Sequence, residues 1–292
     1  RLFQLSMVFV YAIALFGLNL LTGYNGQISL GHGAFFAIGA YACAIFISSV
    51  GLPYWLAVPA AGLVCLVIGF LFGLPALKLE GIYLALATFA LAICTPQILK
   101  HKSLSHWTGG SQGLTLDKPA VPIAGLSDDR WLYFFCLACA VVMFVLGSNL
   151  IRGKMGRALV AIRDQPVAAA AMGVHLPIYK ATNFGISSAY AGVAGALAAL
   201  VTQFIAPDSF NVYLSISFLV GIVIGGLASV PGAIIGAVFM QFVPNVAEDV
   251  SKSAPWLVYG VMLLLAAYLF PTGVYGLYKT VAGKLARRRK LP

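Results

Sequence analysis

Charge is what this sequence has least of. Asp, Glu, Lys and Arg make up 9% of its 292 residues, against about a quarter in ordinary soluble domains, while 61% of positions are hydrophobic. So little charge cannot cover a water-facing surface, which excludes a soluble globule. A membrane-crossing helix needs roughly 20 apolar residues at a rise of about 1.5 Å each, and uncharged runs of that order recur along the whole chain. They predict an all-α fold, a polytopic membrane helix bundle of about nine spans. The predicted spans are Leu2–Leu21, Ala34–Val50, Tyr54–Leu77, Ile82–Leu99, Trp131–Leu150, Ala181–Phe204, Val212–Leu227, Gly232–Val246 and Pro255–Phe270.

None of these spans contains an Asp, Glu, Lys or Arg. Ionisable groups at bilayer depth mark proton relays, voltage sensors and intramembrane catalytic sites, and such groups are missing. The four histidines do not replace them: His32 is expected at a span entrance, His101 and His106 in a loop, and His175 near a span start. Their scatter matches no metal-ligand spacing, so ordinary loop roles are expected and no metal or catalytic site is assigned. Of the five cysteines, Cys136 and Cys139 share a helix face, where buried thiols are the expectation. A phosphate-binding loop is absent as well, because Gly153-Lys154 is followed by Met155 and Ser148 stands where the first glycine should be. If the chain drives a solute uphill, the energy must come from another polypeptide or from a coupling ion held by neutral groups.

The charges that do occur are distributed unevenly. Of 18 basic residues, five lie between Ile151 and Lys180 and six between Lys279 and Lys290, and these two segments hold one acid, Asp164, out of eight. The loops 100–130, 206–211 and 247–254 hold five basic and six acidic residues. This is the asymmetry of a membrane protein whose basic loops face the cytoplasm, so segment 151–180 and the tail 279–292 are predicted to be cytoplasmic. The tail reads as an anchor on anionic lipid rather than a nucleic-acid site. Counting spans backwards from 151–180 puts Arg1 outside, and a chain beginning without Met is expected to lack an initial span or signal segment.

Between the first two predicted spans, Thr22–Gly33 reads TGYNGQISLGHG. Four glycines and the polar side chains of Asn25, Gln27, Ser29 and His32 crowd into it. A solvent-exposed loop is one reading. The favoured one is a broken helix lining a pathway, because irregular backbone at membrane depth survives only where protein buries it or water fills a cavity beside it. A second cluster around Gly225, Gly226, Pro231 and Gly232 lies in the other half of the chain, and paired interruptions point to a transporter's internal repeat. The small residues Gly185, Ser188, Ala191, Gly192, Gly195 and Ala196 permit close helix packing whatever the function.

Segment 151–180 has structure of its own. Gly156–Arg163 carries Leu159 and Ile162 between basic ends, and Pro166 then opens a short helix to Met172, capped by Asp164 or Gln165 and closed by Gly173. Seven residues are too few to be helical alone in water, so this piece must pack on something. A partner's groove on one side, and the chain's own bundle or lipid headgroups on the other, remain equal alternatives on physical grounds.

GRALVAIRDQPVAAAAMGV at Gly156–Val174 resembles the ATPase-coupling loop of the permeases of branched-chain amino acid ABC transporters. TGYNGQISLGHGAFFAIGAYA at Thr22–Ala42 resembles their amino-terminal signature. Similar matches follow in the same order at Leu77–Ala90, Thr108–Leu114 and Pro207–Ala237, and among the two permease types the chain resembles the larger, M-type subunit. Ala170 stands where relatives commonly carry Glu, and Pro166 replaces a usual acid or polar residue.

The resemblance implies a type II-like ABC importer permease with broken helices, forming one transmembrane domain over residues 1–292 with a coupling loop at 151–180 and a basic tail at 279–292. It implies an ATPase contact through Gly156, Arg157, Ala161, Arg163, Asp164, Ala168, Ala169, Ala170, Ala171, Met172 and Gly173. A pathway or gate is expected at Asn25, Gly26, Gln27, Ser29, Gly31, His32, Gly225 and Gly226. Implied partners are a second homologous permease, two cytoplasmic ATP-binding subunits that hold ATP and Mg, and a periplasmic amino-acid-binding protein, in a bacterial inner membrane and without nucleic acid. No cofactor is expected in the chain itself. Urea and short-amide permeases are closely similar, and an ion-coupled secondary transporter and a membrane enzyme are the rival classes.

Overall fold

The computed structural model describes residues 2–76, 79, 81–118, 127–250, 260, 261, 264, 265, 268, 273–277 and 279. The predicted last span, Pro255–Phe270, and the basic tail fall mostly outside these residues.

The architecture is a polytopic helical bundle. In chain order its helices are α1 (Leu2–Leu18), continuing as a π-helical turn at Asn19–Tyr24, α2 (His32–Ser48), α3 (Tyr54–Ala76), α4 (Ile82–Leu99) and the short α5 (Ser105–Thr108). There follow α6 (Asp128–Arg152), α7 (Lys154–Asp164), α8 (Pro166–Ala171), α9 (Leu176–Thr202), α10 (Val212–Gly225) and α11 (Val230–Val250). Among the described residues, seven helical segments are long and apolar enough to cross a membrane, and α2 is a shorter apolar helix beside them. Eight of the nine predicted spans thus appear as helices, with ends shifted by a few residues. The largest shift is at α9, which starts at Leu176 rather than Ala181 because Pro177, lacking an N–H, suits the first turn of a helix.

α9 is the axis of the bundle. It is buried over most of its length, with α1, α2 and α3 laid against it, whereas α6 is the most exposed of the spans. The small-residue stripe explains this placement, since all six of its members are buried. A Cβ added to Gly39 of α2 would sit 2.2 Å from the Gly192 carbonyl oxygen, so the two backbones meet with no side chain between them. Around that contact, Phe16 stacks on Phe144 at a centroid distance of 4.7 Å and meets Tyr190 edge-on at 5.7 Å, tying α1 to α6 and α9.

At one end of the bundle a two-stranded ribbon pairs β1 (Leu114–Thr115) with β2 (Phe204–Ile205) in antiparallel register, Leu114 opposite Ile205. At the other end, after α6, α7 packs on α9 and the π-helical turn, and α8 packs on α7 and α9. The sequence predicts this pair closely, with Leu159 and Ile162 as the buried face of α7. Burying such side chains is worth about 1.5–3 kcal/mol each and holds the segment against its own bundle.

Candidate functional site

The two glycine-rich interruptions meet, and the meeting point is the π-helical turn Asn19–Tyr24. A π turn widens the helix and redirects backbone groups, so the turn needs partners from outside. Three side chains supply them at intervals of three residues: Ser187 Oγ donates to the Gly17 carbonyl, Asn183 Nδ2 to the Leu20 carbonyl at 3.0 Å, and Arg163 Nη1 to the Gly23 carbonyl at 2.8 Å. In the other direction Asn19, fully buried, donates through Nδ2 to the Ser229 carbonyl at 2.7 Å and accepts from the Ala228 N–H at 2.8 Å. The second cluster is thereby fastened to the first. Gly225, at the end of α10, is buried against the Gly232 backbone, and Gly226 follows with φ of +119°.

The entrance segment itself is a largely buried break between helices, with Gly26 and Ile28 exposed, rather than a fully solvent-exposed loop. Asn25, Ser29, Gly31 and His32 are buried, Gln27 is half-buried and Gly26 is exposed. Asn25 Nδ2 donates to Gln27 Oε1 at 2.7 Å, Thr22 Oγ1 donates to the Gln27 carbonyl at 3.1 Å, and the Gln27 N–H returns to the Leu21 carbonyl at 3.1 Å. These bonds close residues 21–27 into a unit. Thr88 of α4 then accepts from the Leu30 N–H at 3.0 Å, and Ser215 of α10 accepts from the Gly33 N–H at 3.0 Å.

His32, expected at a span entrance and among the pathway or gate residues, is 1% exposed and lies in a hydrogen-bonded chain at the start of α2. Because the Ser187 hydroxyl proton goes to the Gly17 carbonyl, Ser187 Oγ must accept from His32 Nε2–H across 2.8 Å. Nδ1 faces the Ser29 hydroxyl at 3.4 Å. With a hydroxyl beside each ring nitrogen, the imidazole holds the start of α2 against α9.

The expected ATPase-contact residues divide into two groups. Gly156 is buried at the corner between α6 and α7, where a Cβ would meet the Ile151 carbonyl oxygen, and Ala169 is 5% exposed with its methyl turned inward. Arg157, Ala161, Asp164, Ala168, Ala170, Ala171, Met172 and Gly173 face outward, whereas Arg163, though partly exposed, turns its guanidinium in to the Gly23 carbonyl. Gln165 is the residue that precedes α8, and its side chain makes no cap hydrogen bond. At the far end Gly173 takes φ of +83°, and the N–H groups of Gly173 and Val174 bond to the Ala170 and Ala169 carbonyls at 3.0 Å each. These paired bonds, made from a left-handed glycine, form a Schellman closure that gives the two-turn α8 a fixed end. Its outer surface carries Val167 at 81% and Met172 at 85% exposure, an uncovered apolar patch beside small alanines. Between this segment and the glycine-rich entrance lies a cavity of about 190 Å³ whose lining includes Asn25, Gln27, Gly81, Arg163, Pro166 and Lys180. Among the described residues no cluster of His, Cys, Asp or Glu could hold a metal ion.

Sequence reasoning missed Asn19, Asn183, Ser187 and Val167. A signal was available for the first two, since an amide inside an apolar span is costly unless it bonds to another helix.

Among the described residues, seven membrane-length helical segments, with the two glycine-rich interruptions joined near Asn19 and Ser229, define a polytopic helical membrane protein. The chain matches the family model described as "Branched-chain amino acid transport system / permease component" over residues 2–267, and it belongs to that family. It is similar to the high-affinity branched-chain amino acid transport system permease protein LivM of Salmonella typhimurium, 32% identical over 89% of this chain and 66% of the relative. LivM of Escherichia coli is 31% identical over the same shares. The chain thus spans just under two thirds of the length of these M-type relatives. LivH of Salmonella typhimurium is more distant, at 25% identity over 91% of each chain. The stronger likeness to LivM bears out the M-type assignment. The solved structure "PsaBC from Streptococcus pneumoniae in complex with Fab" covers 94% of each chain at 14% identity and a TM-score of 0.44, too distant a likeness to inform the fold.

Proposed function

We propose that the chain is a permease subunit of an ATP-driven importer for branched-chain, aliphatic amino acids. It forms the translocation pathway with a second, homologous permease in a cytoplasmic membrane, as one transmembrane domain with segment 151–180 and tail 279–292 on the cytoplasmic side. Two ATP-binding subunits hold the nucleotide and Mg, and a periplasmic binding protein delivers the substrate. The chain itself serves as conduit rather than enzyme. The observation that carries this reading is the outer face of α8. Val167 and Met172 stand out from a helix whose end is fixed by its own hydrogen bonds, at the more basic mouth of a bundle with charge-free spans.

Such a face suits a groove on a soluble partner. The outward-facing residues of segment 156–173 make the ATPase contact, while Gly156, Arg163 and Ala169 shape it from within. Ala170 offers no carboxylate, so the contact relies on apolar packing and on the flanking basic residues. The pathway or gate is assigned to Asn25–His32 together with Gly225 and Gly226. A zwitterion with an aliphatic side chain needs small and neutral polar groups there rather than fixed charge, and partners that bind inward and outward states differently supply the direction.

The test is reconstitution in liposomes. Uptake of leucine, isoleucine or valine against a gradient should require both permeases, the ATP-binding subunits with ATP, and the loaded binding protein. Uphill uptake by the permeases alone under an ion gradient would overturn this reading.

A further inference from the structure

We propose that Arg163 is the positioning residue that transmits movement of the coupling segment to the interrupted first span. The proposal rests on the reading of 156–173 as the ATPase contact and goes beyond it by naming the internal link.

Arg163 sits near the C-terminal end of α7, one turn before α8, and its guanidinium reaches a backbone 140 residues earlier in the chain. Its Nη1 donates to the Gly23 carbonyl at 2.8 Å, its Nε donates to Asp164 Oδ1 at 2.9 Å, and its stem lies over Gly26, where an added Cβ would come within 2.9 Å of Arg163 Cγ. The Gly23 carbonyl lies in the last turn of the π segment, where helix carbonyls lack an intrahelical partner and where the helix dipole favours a cation. Asp164 fixes the guanidinium from the other side. The link is therefore a geometrically set bond rather than a mobile surface charge.

Two further features make it a transmission element. Residues 21–27 are closed by their own hydrogen bonds, so displacement of Gly23 carries the whole entrance unit. At the start of the same π turn, Asn19 grips the Ala228 and Ser229 backbone, so the displacement reaches the second glycine cluster. A rigid connection runs from α7 through Gly23 and Asn19 to the turn after α10, and Arg163 is its entry point.

The experiment uses the complete complex in proteoliposomes and measures ATP hydrolysed per substrate imported. Arg163→Met keeps the stem over Gly26 and removes the donor. It should retain the ATP-binding subunits and their hydrolysis while import falls about tenfold or more, raising the ATP-to-substrate ratio by the same factor. Arg163→Lys, which can still donate one bond to Gly23, should recover part of the coupling. Lys118→Gln, at an exposed ion pair with Asp129 in the 100–130 loop, should leave the ratio unchanged. An Arg163→Met complex with an unchanged ratio overturns this inference alone. Equal losses of hydrolysis and import in both Arg163 variants also overturn it, because they indicate a structural role. If the unmodified chain binds no ATP-binding subunit, the proposed function falls and this inference with it.

Discussion

Asn19 and Ser229, 210 residues apart, are joined by a 2.7 Å hydrogen bond from the Asn19 amide to the Ser229 carbonyl, and Asn19 Oδ1 accepts from the neighbouring Ala228 N–H at 2.8 Å. One side chain thus satisfies both a donor and an acceptor of a turn that the helix end has left without partners. Asn19→Leu keeps the volume and orphans both groups. The expected loss is on the order of 2 kcal/mol of stability, read as a lower melting temperature of the purified complex in detergent. An unchanged melting temperature would show that water replaces the amide.

The His32–Ser187 bond should appear as a coupling energy. Single replacements His32→Phe and Ser187→Ala each remove it, and the double variant cannot lose it twice. A double-mutant cycle should return about 1 kcal/mol of non-additivity, measured by chemical or thermal unfolding. Strict additivity would mean that the 2.8 Å contact carries no net energy.

Close backbone packing at α2 and α9 predicts intolerance of any side chain at Gly39. Gly39→Val would force atoms into the Gly192 backbone and should cost about 1–3 kcal/mol or prevent assembly. Leu63→Ala on the exposed outer face of α3, where Leu63 is 63% exposed, should stay within about 0.5 kcal/mol. The comparison is read by size-exclusion profile and melting temperature.

α8 separates contact from fold. The double replacement Val167→Asp with Met172→Asp changes two outward side chains and should leave stability within about 0.5 kcal/mol. Recovery of the ATP-binding subunits by affinity purification should fall at least about tenfold, equivalent to roughly 1.4 kcal/mol of binding. Ala169→Trp should do the reverse in kind, because its methyl points inward: the fold itself loosens before any partner is involved. Equal recovery of the subunits with the Asp pair would remove α8 from the contact.

Composition and periodicity already set the class of this protein and much of its outline. Charge-free runs, the basic segment 151–180 and the small-residue stripe on α9 are local properties of composition and period, and eight predicted spans and the α7–α8 corner appear near their predicted places. The Leu159 and Ile162 anchors and the closure at Gly173 were legible for the same reason, since capping and amphipathic spacing act within a few residues. Only the tertiary structure decided that the two glycine clusters meet, that His32 is buried in a hydrogen-bonded chain, that Ala169 turns inward and that Arg163 reaches Gly23. The junction of the clusters, the His32–Ser187 bond and the Arg163–Gly23 bond join segments far apart in the chain, and at Asn19 and Arg163 a side chain takes a backbone group that a helix break has released. Nothing in local periodicity encodes which distant backbone will present that group. The polar residues inside the spans mark that such partners exist, and packing alone selects them.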